Sequence, residues 1–563
     1  MRRFVKTCQA VAATTKKSLK VALVSELFQD LSVEDAAQAA IFLTGRAFPN
    51  REERVLGVGG SQLAKLVAQM AGADTNALGK SYRVHGDLGD MAEHLLLNRS
   101  AAAAVPTDVT PGTDVSLATV ASVFHQLPNL RTAAQKMSPL KDLFQNMTPG
   151  EIKYAIKIIT GDLRIGLKES LVEEAIAKAF DRPLAAVRRA NMLTGDIAET
   201  LSFAAADNLM SVQIRLFHPI GFMLATPVET ANEILPGNLS NDVASEDRGA
   251  VLVEEKYDGI RAQVHKSAAG VKVFSRTLDE VTEFPELNPP FAKLPGDFIL
   301  DGEILAWNGS GPLPFTELQK RLGRKQLDLY LRHEIPVRFA AFDLIYQDGE
   351  LLLDEPLAGR RARLEKILAP GLNSAVYTAT AIRCDSAAAI ESAFRESLAV
   401  GHEGIVVKMP QSLYTPGRRG RSWFKLKEPF ATLDVVVTAV EYGHGKRHGL
   451  LSDYTFSVRD GNRLLTIGKA YSGLTDAEIK TGTEYFLQHS TEDLGARRLV
   501  EPTVVMEVAF NNIQKSQRHE SGYALRFPRI LRLRPDKPVA EIDTLDRVAQ
   551  LYSRQITLPR YNS

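Results

Sequence analysis

The sequence of 563 residues has little cysteine and no long apolar run. Its two cysteines, Cys8 and Cys384, lie far apart. Two thiols cannot supply a four-cysteine zinc site, and they give no disulfide framework, which fits a reducing compartment. No stretch approaches about 18 consecutive apolar residues, so no membrane-spanning helix is predicted. No fixed-period repeat is evident either.

The chain also lacks an excess of charge of either sign. It has 68 Lys and Arg against 67 Asp and Glu, a formal net charge of +1. Any nucleic-acid surface must therefore come from local clusters of basic residues. A hydrophobic content of 45% is ordinary for a globular protein. The length predicts about three domains.

The N-terminal stretch MRRFVKTCQAVAATTKK is mildly basic but has no apolar core of signal-peptide length. Its spacing indicates a first amphipathic helix. Because this helix begins at the N-terminus without a long basic leader, the sequence predicts a prokaryotic, cytoplasmic and nucleoid-associated protein.

Three regions differ in periodicity. Residues 1–215 show apolar residues at three- and four-residue spacing, which predicts an all-α domain. Residues 216–427 alternate short β-branched or aromatic runs with helical stretches, which indicates an α+β domain. Residues 428–563 are dominated by short strands with one helix, compatible with a small OB-type β-barrel. Helix caps are predicted at Ser32, Asp90 and Ser170.

One lysine stands directly after a predicted strand. The run GAVLVEE is followed by Lys256, Asp258 and Gly259. A lysine amine is nucleophilic only when deprotonated, and burial or nearby positive charge favours that form. Gly259 removes a side chain and lets a ligand come close. On its own the four-residue pattern KxDG is equally typical of a surface turn.

Several charged residues lie in strand-like runs. Glu303 and Glu403 need partners if they are ionised, either in a salt bridge or as oxygen ligands of a hard cation. Asp301 is predicted to point to the strand face opposite Glu303. Lys425 and Lys427 alternate in a strand and share a face, where a bound anion would offset their repulsion.

These motifs follow one another in a fixed order: EEKYDGIR, LDGEILAW, FAAFDLIY, HEGIVVK and SWFKLK. With FMLATPVE before them, ITGDLRIGLKES in the helical region and SGYALRFPRILRLRPDK near the end, they closely resemble ATP-dependent DNA ligases of the large type. The resemblance spans nearly the whole chain. It implies a helical DNA-binding domain (1–215), an adenylation (nucleotidyltransferase) domain (216–427) and an OB-fold domain (428–563). The implied activity is sealing of nicks in duplex DNA through a covalent lysyl-AMP and an adenylated 5′-phosphate.

The resemblance also implies residue roles. Lys256 would be the nucleophile, Glu254 would accept a hydrogen bond from the adenine amino group, and Phe342 would stack on adenine, although a core strand residue is a competing interpretation. The other residues implied for ATP binding are Arg261, Arg276, Glu303, Arg419, Lys425 and Lys427. Glu303 and Glu403 are implied to hold Mg²⁺, with Mn²⁺ possible. The residues implied for DNA are Arg164 and Gly166 in GDLRIG, and Arg526 and Arg529 in RFPR.

Arg534, Asp536 and Lys537 match the family's RxDK motif, which is implied to orient the leaving pyrophosphate. The expected substrates are ATP and nicked double-stranded DNA, and the expected state is a monomer away from membranes. An RNA ligase or a capping-type nucleotidyltransferase is the alternative, disfavoured by the helical domain and RxDK. An NAD-dependent ligase would need a zinc module, and a non-catalytic scaffold would not need the intact charged motifs. The glycine-rich segment LGVGGSQ (56–62) is not interpreted as a mononucleotide-binding motif, because it lacks the Gly-Lys-Ser/Thr of a phosphate-binding loop and no strand precedes it.

Overall fold

The computed structural model describes residues 1–49, 52, 54–102, 115–234, 250–309, 311–322, 329–368, 375–428, 431–443, 447 and 449–557. The N-terminal region is helical, as predicted. Phe42 packs edge-on against Phe4 and Phe124 in its core. Its helices are α1 (Arg2–Ala12), α2 (Lys17–Asp30), α3 (Val33–Leu43), α4 (Gly60–Ala71), α5 (Thr75–His85), α6 (Leu88–Ala102), α7 (Leu117–Gln126), α8 (Ala133–Gln145), α9 (Pro149–Ile159), α10 (Glu169–Ala179), α11 (Leu184–Thr194) and α12 (Ile197–Ala205).

The three predicted helix caps have different outcomes. Ser32 caps α3 as predicted, because its side chain accepts a hydrogen bond from the backbone amide of Asp35. The prediction for Asp90 is wrong: Asp87 accepts from the Asp90 amide at 2.8 Å, so Asp90 lies inside the first turn of α6. The prediction for Ser170 is also wrong, since α10 begins at Glu169. In both cases the helix begins before the predicted cap.

The central region contains two β-sheets. One has the strand order β1-β11-β10-β2-β9, and the other has the order β4-β3-β5-β6-β7 with β8 beside β6. The strands are β1 (Leu224–Val228), β2 (Val251–Glu255), β3 (Ile260–Ser267), β4 (Gly270–Ser275), β5 (Phe298–Ala306), β6 (Val337–Gln347), β7 (Glu350–Leu351), β8 (Val376–Thr378), β9 (Ala381–Cys384), β10 (Gly404–Lys408) and β11 (Arg419–Lys427). The helices are α13 (Asn288–Ala292), α14 (Phe315–Gln319), α15 (Leu329–Glu334), α16 (Leu357–Ile367) and α17 (Ala387–Ala399).

The C-terminal region is strand-rich, consistent with the predicted OB-fold. The first half of β12 pairs with β17 and its second half pairs with β16, so one long strand joins two parts of the sheet. Its elements are β12 (Thr432–Tyr442), β13 (Leu451–Asp460), β14 (Arg463–Ala470), α18 (Asp476–Gln488), β15 (Ser490–Asp493), β16 (Arg497–Val500), β17 (Val505–Ala509), β18 (Asn512–Lys515), β19 (Tyr523–Arg526), β20 (Arg529–Leu533) and α19 (Leu545–Thr557).

The segment that leads from the helical region into β1 packs against the central sheets. Leu193 of α11 shares a buried cluster with Ile220, Met223 and Trp423. The backbone of Ile220 exchanges hydrogen bonds with the buried amide of Gln263, at 3.0 and 3.2 Å. The predicted domain boundaries at 215/216 and 427/428 stay predictions. No helix in the described ranges has the length and apolarity needed to cross a bilayer.

Candidate nucleotide-binding active site

A cavity of about 220 Å³ in the central region draws its lining from both sheets. Strands β1, β2, β10 and β11 contribute from the first sheet, and β3, β5 and β6 contribute from the second. The lining residues are Leu224, Ala225, Glu254, Glu255, Lys256, Tyr257, Arg261, Arg276, Glu303, Phe342, Val406, Lys408, Arg419, Trp423 and Lys425. Most of the residues predicted for ATP binding therefore meet at one place.

Lys256 follows directly after β2 and is tied to the start of β10. Its amide donates to the carbonyl of Gly404 at 2.8 Å, and its carbonyl accepts from the amide of Glu403 at 3.1 Å. Its ammonium group forms an ion pair with the Glu403 carboxylate. A side chain at Gly404 would place Cβ 2.3 Å from the carbonyl oxygen of Leu426, so only glycine fits this close approach.

Cationic side chains converge near Lys256. Lys425 and Lys427 alternate on β11, as predicted, and the pKa of each is lowered by burial and by neighbouring positive charge. For Lys425 the neighbours are Lys256, Lys427, Arg419 and Arg276. Such a group of like charges is stabilised when an anion binds among them.

Two carboxyl groups close enough to Lys256 to be affected by its charge have raised pKa values. Burial raises the pKa of Glu303 to about 8, against the opposing effect of Arg261 and Lys256. Burial, followed by the nearby charge of Glu403, raises the pKa of Asp258 to about 6. These carboxyl groups have less compensating charge than their burial requires.

The prediction for Asp301 is wrong. Residues two apart in a strand share a face, and Asp301 and Glu303 both lie beside Arg261. Asp301 accepts from Arg261 Nε at 3.1 Å and from Nη2 at 2.7 Å. The hydroxyl of Tyr414 donates to the same carboxylate at 2.7 Å. Arg261 is thus held by a buried acid at the edge of the cavity.

The arginine also lies among aromatic rings. Its guanidinium carbon is 5.0 Å from the ring centroid of Phe222, 5.4 Å from that of Phe342 and 5.9 Å from that of Trp423. Phe342 is only partly buried and lines the cavity, so part of its ring faces the cavity and is not enclosed in the core. These contacts fix the direction of Arg261 before any ligand binds.

Glu254 lies at a buried part of the cavity and has two cationic partners. Its Oε2 is 2.6 Å from Lys408 Nζ, and its Oε1 accepts from Arg361 Nη1 at 2.9 Å. Lys408 Nζ also lies 4.3 Å from the ring centroid of Phe342 and 4.2 Å from that of Trp423. The motif pattern does not reveal Arg361, because AGRRARLEKIL indicates only a helix.

Comparison with known proteins places each region in one family. Residues 1–177 match the sequence model described as DNA ligase N terminus, residues 222–427 match the ATP dependent DNA ligase domain, and residues 447–537 match the ATP dependent DNA ligase C terminal region. A "Probable DNA ligase" of Koribacter versatilis is 48% identical over 577 residues, covering 99% of this chain and 97% of that protein.

The chain belongs to the ATP-dependent DNA ligases. A "DNA ligase" of Methanoculleus marisnigri is 34% identical over 562 residues, covering 98% of both chains. The solved structure titled "Pmar-Lig_PreS3" has a TM-score of 0.60 at 18% identity and covers 94% of this chain and 99% of that one, which supports the fold. Family membership confirms the predicted ligase class, whose members use ATP and seal nicks in DNA, over the RNA-ligase and capping alternatives.

The residues predicted for DNA binding in the helical part of the ligase do not line the cavity. Arg164 has a positive φ of 53°. Its guanidinium donates to the Gly86 carbonyl at 2.8 Å and to the Asp162 carboxylate at 3.0 Å. The carbonyl of Gly166 accepts from Lys20 Nζ at 3.1 Å. The GDLRIG loop is therefore held by contacts within the helical region.

The C-terminal motifs of the ligase also lie away from the cavity lining. Arg526 and Arg529 flank Phe527, which is 69% exposed and has a φ of +50°. The sequence predictions did not include Phe527, although an aromatic residue between two arginines is a pattern that could have indicated a candidate for DNA contact. Arg534 and Lys537 both bind Asp434, at 3.0 and 2.6 Å, so the RxDK cations are paired within the OB-type region.

Proposed function

We propose that this ligase seals nicks between a 3′-hydroxyl and a 5′-phosphate through Lys256. The observation that carries the proposal is the position of Lys256, at a cavity where Arg276, Arg419 and Lys425 meet. A nucleoside triphosphate would supply the anionic charge that offsets the repulsion among these cations. A triphosphate bound by these cations would lie beside the amine of Lys256.

The reaction has three steps. The neutral amine of Lys256 attacks the α-phosphorus of ATP, a phosphorus–nitrogen bond forms and pyrophosphate leaves. A 5′-phosphate oxygen of the DNA then attacks the same phosphorus, and AMP passes from the lysine to the DNA. Finally the 3′-hydroxyl attacks the 5′-phosphate, the new phosphodiester bond forms and AMP leaves. Positioning and charge stabilisation are the main protein contributions to such transfers.

The acids near Lys256 fit a divalent cation that is shared with the substrate. No group of three or more His, Cys, Asp or Glu in the described part of the chain makes a metal site by itself. Mg²⁺, however, is commonly held by one or two carboxylates plus phosphate oxygens. Glu303 is a half-buried acid of the cavity lining whose pKa is raised despite two neighbouring cations, and Glu403 adjoins Lys256. We propose that these two hold Mg²⁺, or Mn²⁺, which when bound would offset phosphate charge.

We assign the base and sugar of ATP to the end of the cavity around Glu254. The carboxylate suits an adenine amino group, and Phe342 presents an aromatic surface. Arg261 borders the same space and suits ribose or phosphate oxygens. We assign Lys427 to ATP binding as well, because it lies close enough to Lys256 for the charge of Lys256 to lower its pKa.

For DNA we propose two contact regions. One is the loop with Arg164 and Gly166, and the other is formed by Arg526, Phe527 and Arg529. Basic side chains position the backbone, and an exposed aromatic can contact base edges or stack. We further propose that the ligase acts as a monomer on nicked duplex DNA in a prokaryotic cytoplasm, at the nucleoid.

The test compares wild type with Lys256→Ala and with Lys293→Ala, an exposed lysine outside the cavity. Each protein is incubated with Mg²⁺ and ATP and then examined by intact mass spectrometry. We expect one AMP per chain in wild type and Lys293→Ala, and none in Lys256→Ala. Nick sealing with ATP and NAD, on nicked DNA and nicked RNA, is measured in parallel. Sealing or adenylation by Lys256→Ala would refute the proposal.

A further inference from the structure

Both carboxylate oxygens of Glu254 are engaged by cations. The residue is 4% exposed, with Lys408 on Oε2 and Arg361 on Oε1. Lys408 is itself a lining residue of the cavity, whereas Arg361 is not. Arg361 therefore reaches the cavity lining through its contact with Glu254.

The guanidinium of Arg361 is fixed on its other sides. Its Nη2 donates to the carbonyl of Ala379 at 2.6 Å, and its Nε donates to Glu365 at 2.9 Å, one turn further along α16. The planar fork is thus held by a backbone group and a neighbouring helix residue. A guanidinium held in this way sets the plane and direction of the Glu254 carboxylate.

The protonation state of Glu254 determines whether its side chain can donate a hydrogen bond to a bound base or only accept one. An ionised carboxylate is an acceptor only, whereas a protonated one presents an O–H donor. Burial raises the pKa of Glu254, and Lys408 and Arg361 oppose that effect. The 6-amino group of adenine donates a hydrogen bond, and the 6-oxo group of hypoxanthine or guanine accepts one. With Lys408 and Arg361 within hydrogen-bond distance of its two oxygens, an ionised Glu254 favours adenine over a 6-oxo purine.

We propose that Arg361 is a positioning residue for base selection, which holds Glu254 as an oriented, ionised acceptor for the 6-amino group of ATP. The inference rests on the proposed role of Glu254. It adds a residue from outside the cavity, on a helix that carries none of the ligase motifs.

The experiment measures kcat and KM for covalent nucleotidylation of the full chain, without DNA, with ATP and with ITP as the 6-oxo probe. Arg361→Met removes the donors and keeps the length of the side chain. Arg363→Met is the matched control on the same helix, because Arg363 binds Glu350 and Glu355 instead. We expect Arg361→Met to raise the KM for ATP and to lower the ATP-to-ITP ratio of kcat/KM by about tenfold or more, as expected for loss of a charged hydrogen bond. Arg363→Met should keep both values.

Arg361→Lys provides a second variant, since it keeps the charge but loses the fork. Its ATP-to-ITP ratio should lie between those of wild type and Arg361→Met. In a Glu254→Gln background, Arg361→Met should change the ratio no further. Ratios within twofold of wild type in both single variants would refute the role of Arg361. A wild-type enzyme that uses ITP as well as ATP would instead refute the proposed role of Glu254, so the two failures are distinguishable.

Discussion

Tyr414→Phe removes one buried oxygen atom and leaves the ring in place. The hydroxyl donates to Asp301 at 2.7 Å and accepts from the amide of Met223 at 3.2 Å. Tyr414 is 2% exposed, so water cannot replace the lost partner. The substitution therefore probes the hydrogen bonds that link the segment before β1 to the acid that holds Arg261.

The expected cost follows from these two bonds. A hydrogen bond to a charged group contributes about 1.5–3 kcal/mol, and a buried amide left without a partner costs about 1–3 kcal/mol. Asp301 keeps its two bonds from Arg261, so its charge is not left alone. We expect the free energy of unfolding of the central region to fall by about 3 kcal/mol, or its melting temperature by about 6–12 °C.

The assay is urea unfolding followed by tryptophan fluorescence. The chain has two tryptophans, Trp307 and Trp423, and both lie in the central region. Their emission therefore reports this region without the helical and OB-type parts, whose separate transitions would otherwise blur a two-state analysis. The ring of Trp423 lies 6.0 Å from that of Tyr414, so the probe is local.

Tyr346→Phe is the matched control. Its ring belongs to the same apolar cluster, and no hydrogen bond of its hydroxyl is found among the described residues. We expect it to change stability by less than about 0.5 kcal/mol. If Tyr414→Phe is as stable as this control, the hydroxyl is not the link between Met223 and Asp301, and the reasoning fails.

Three further predictions concern other parts of the ligase. Burial lowers the pKa of His265 to about 3, so the unfolded chain takes up a proton that the folded chain excludes; the stability of wild type should fall relative to His265→Leu as pH drops below about 6.5, by about 2 kcal/mol at pH 5. Phe527→Ala should weaken binding to nicked duplex DNA about tenfold in an anisotropy titration, while adenylation of Lys256 is unchanged. Gly404→Ala would force Cβ to 2.3 Å from a carbonyl oxygen and should abolish lysyl-AMP formation.

Each of these has its own control. For the first prediction, a stability difference between wild type and His265→Leu that stays constant between about pH 7 and pH 5 would contradict it. Leu494→Ala removes an exposed apolar side chain elsewhere in the C-terminal region and should leave DNA affinity unchanged. Gly309→Ala adds a methyl group into open space and should be adenylated like wild type. An adenylated Gly404→Ala would show that the close approach is not required.

Local patterns predicted much of the molecule. Helical spacing indicated the N-terminal region, and alternating runs indicated the strands on which Glu303 and Lys425 lie. The two-residue period placed Lys425 and Lys427 on one face, and the same rule, correctly applied, puts Asp301 with Glu303. The motif order then indicated the family. These features depend on neighbours within a few residues, which is the range over which backbone geometry relates one side chain to the next.

Tertiary structure alone decided the partners. Glu254 and Arg361 are 107 positions apart, Tyr414 and Asp301 are 113 apart, and Lys256 and Glu403 are 147 apart. No periodicity connects such positions, because their contact depends on how two sheets and a helix pack. By itself the sequence indicated which residues are candidates for nucleotide binding; the packing decided which partners orient them, because a buried charge is oriented by groups that only the fold brings within hydrogen-bond distance.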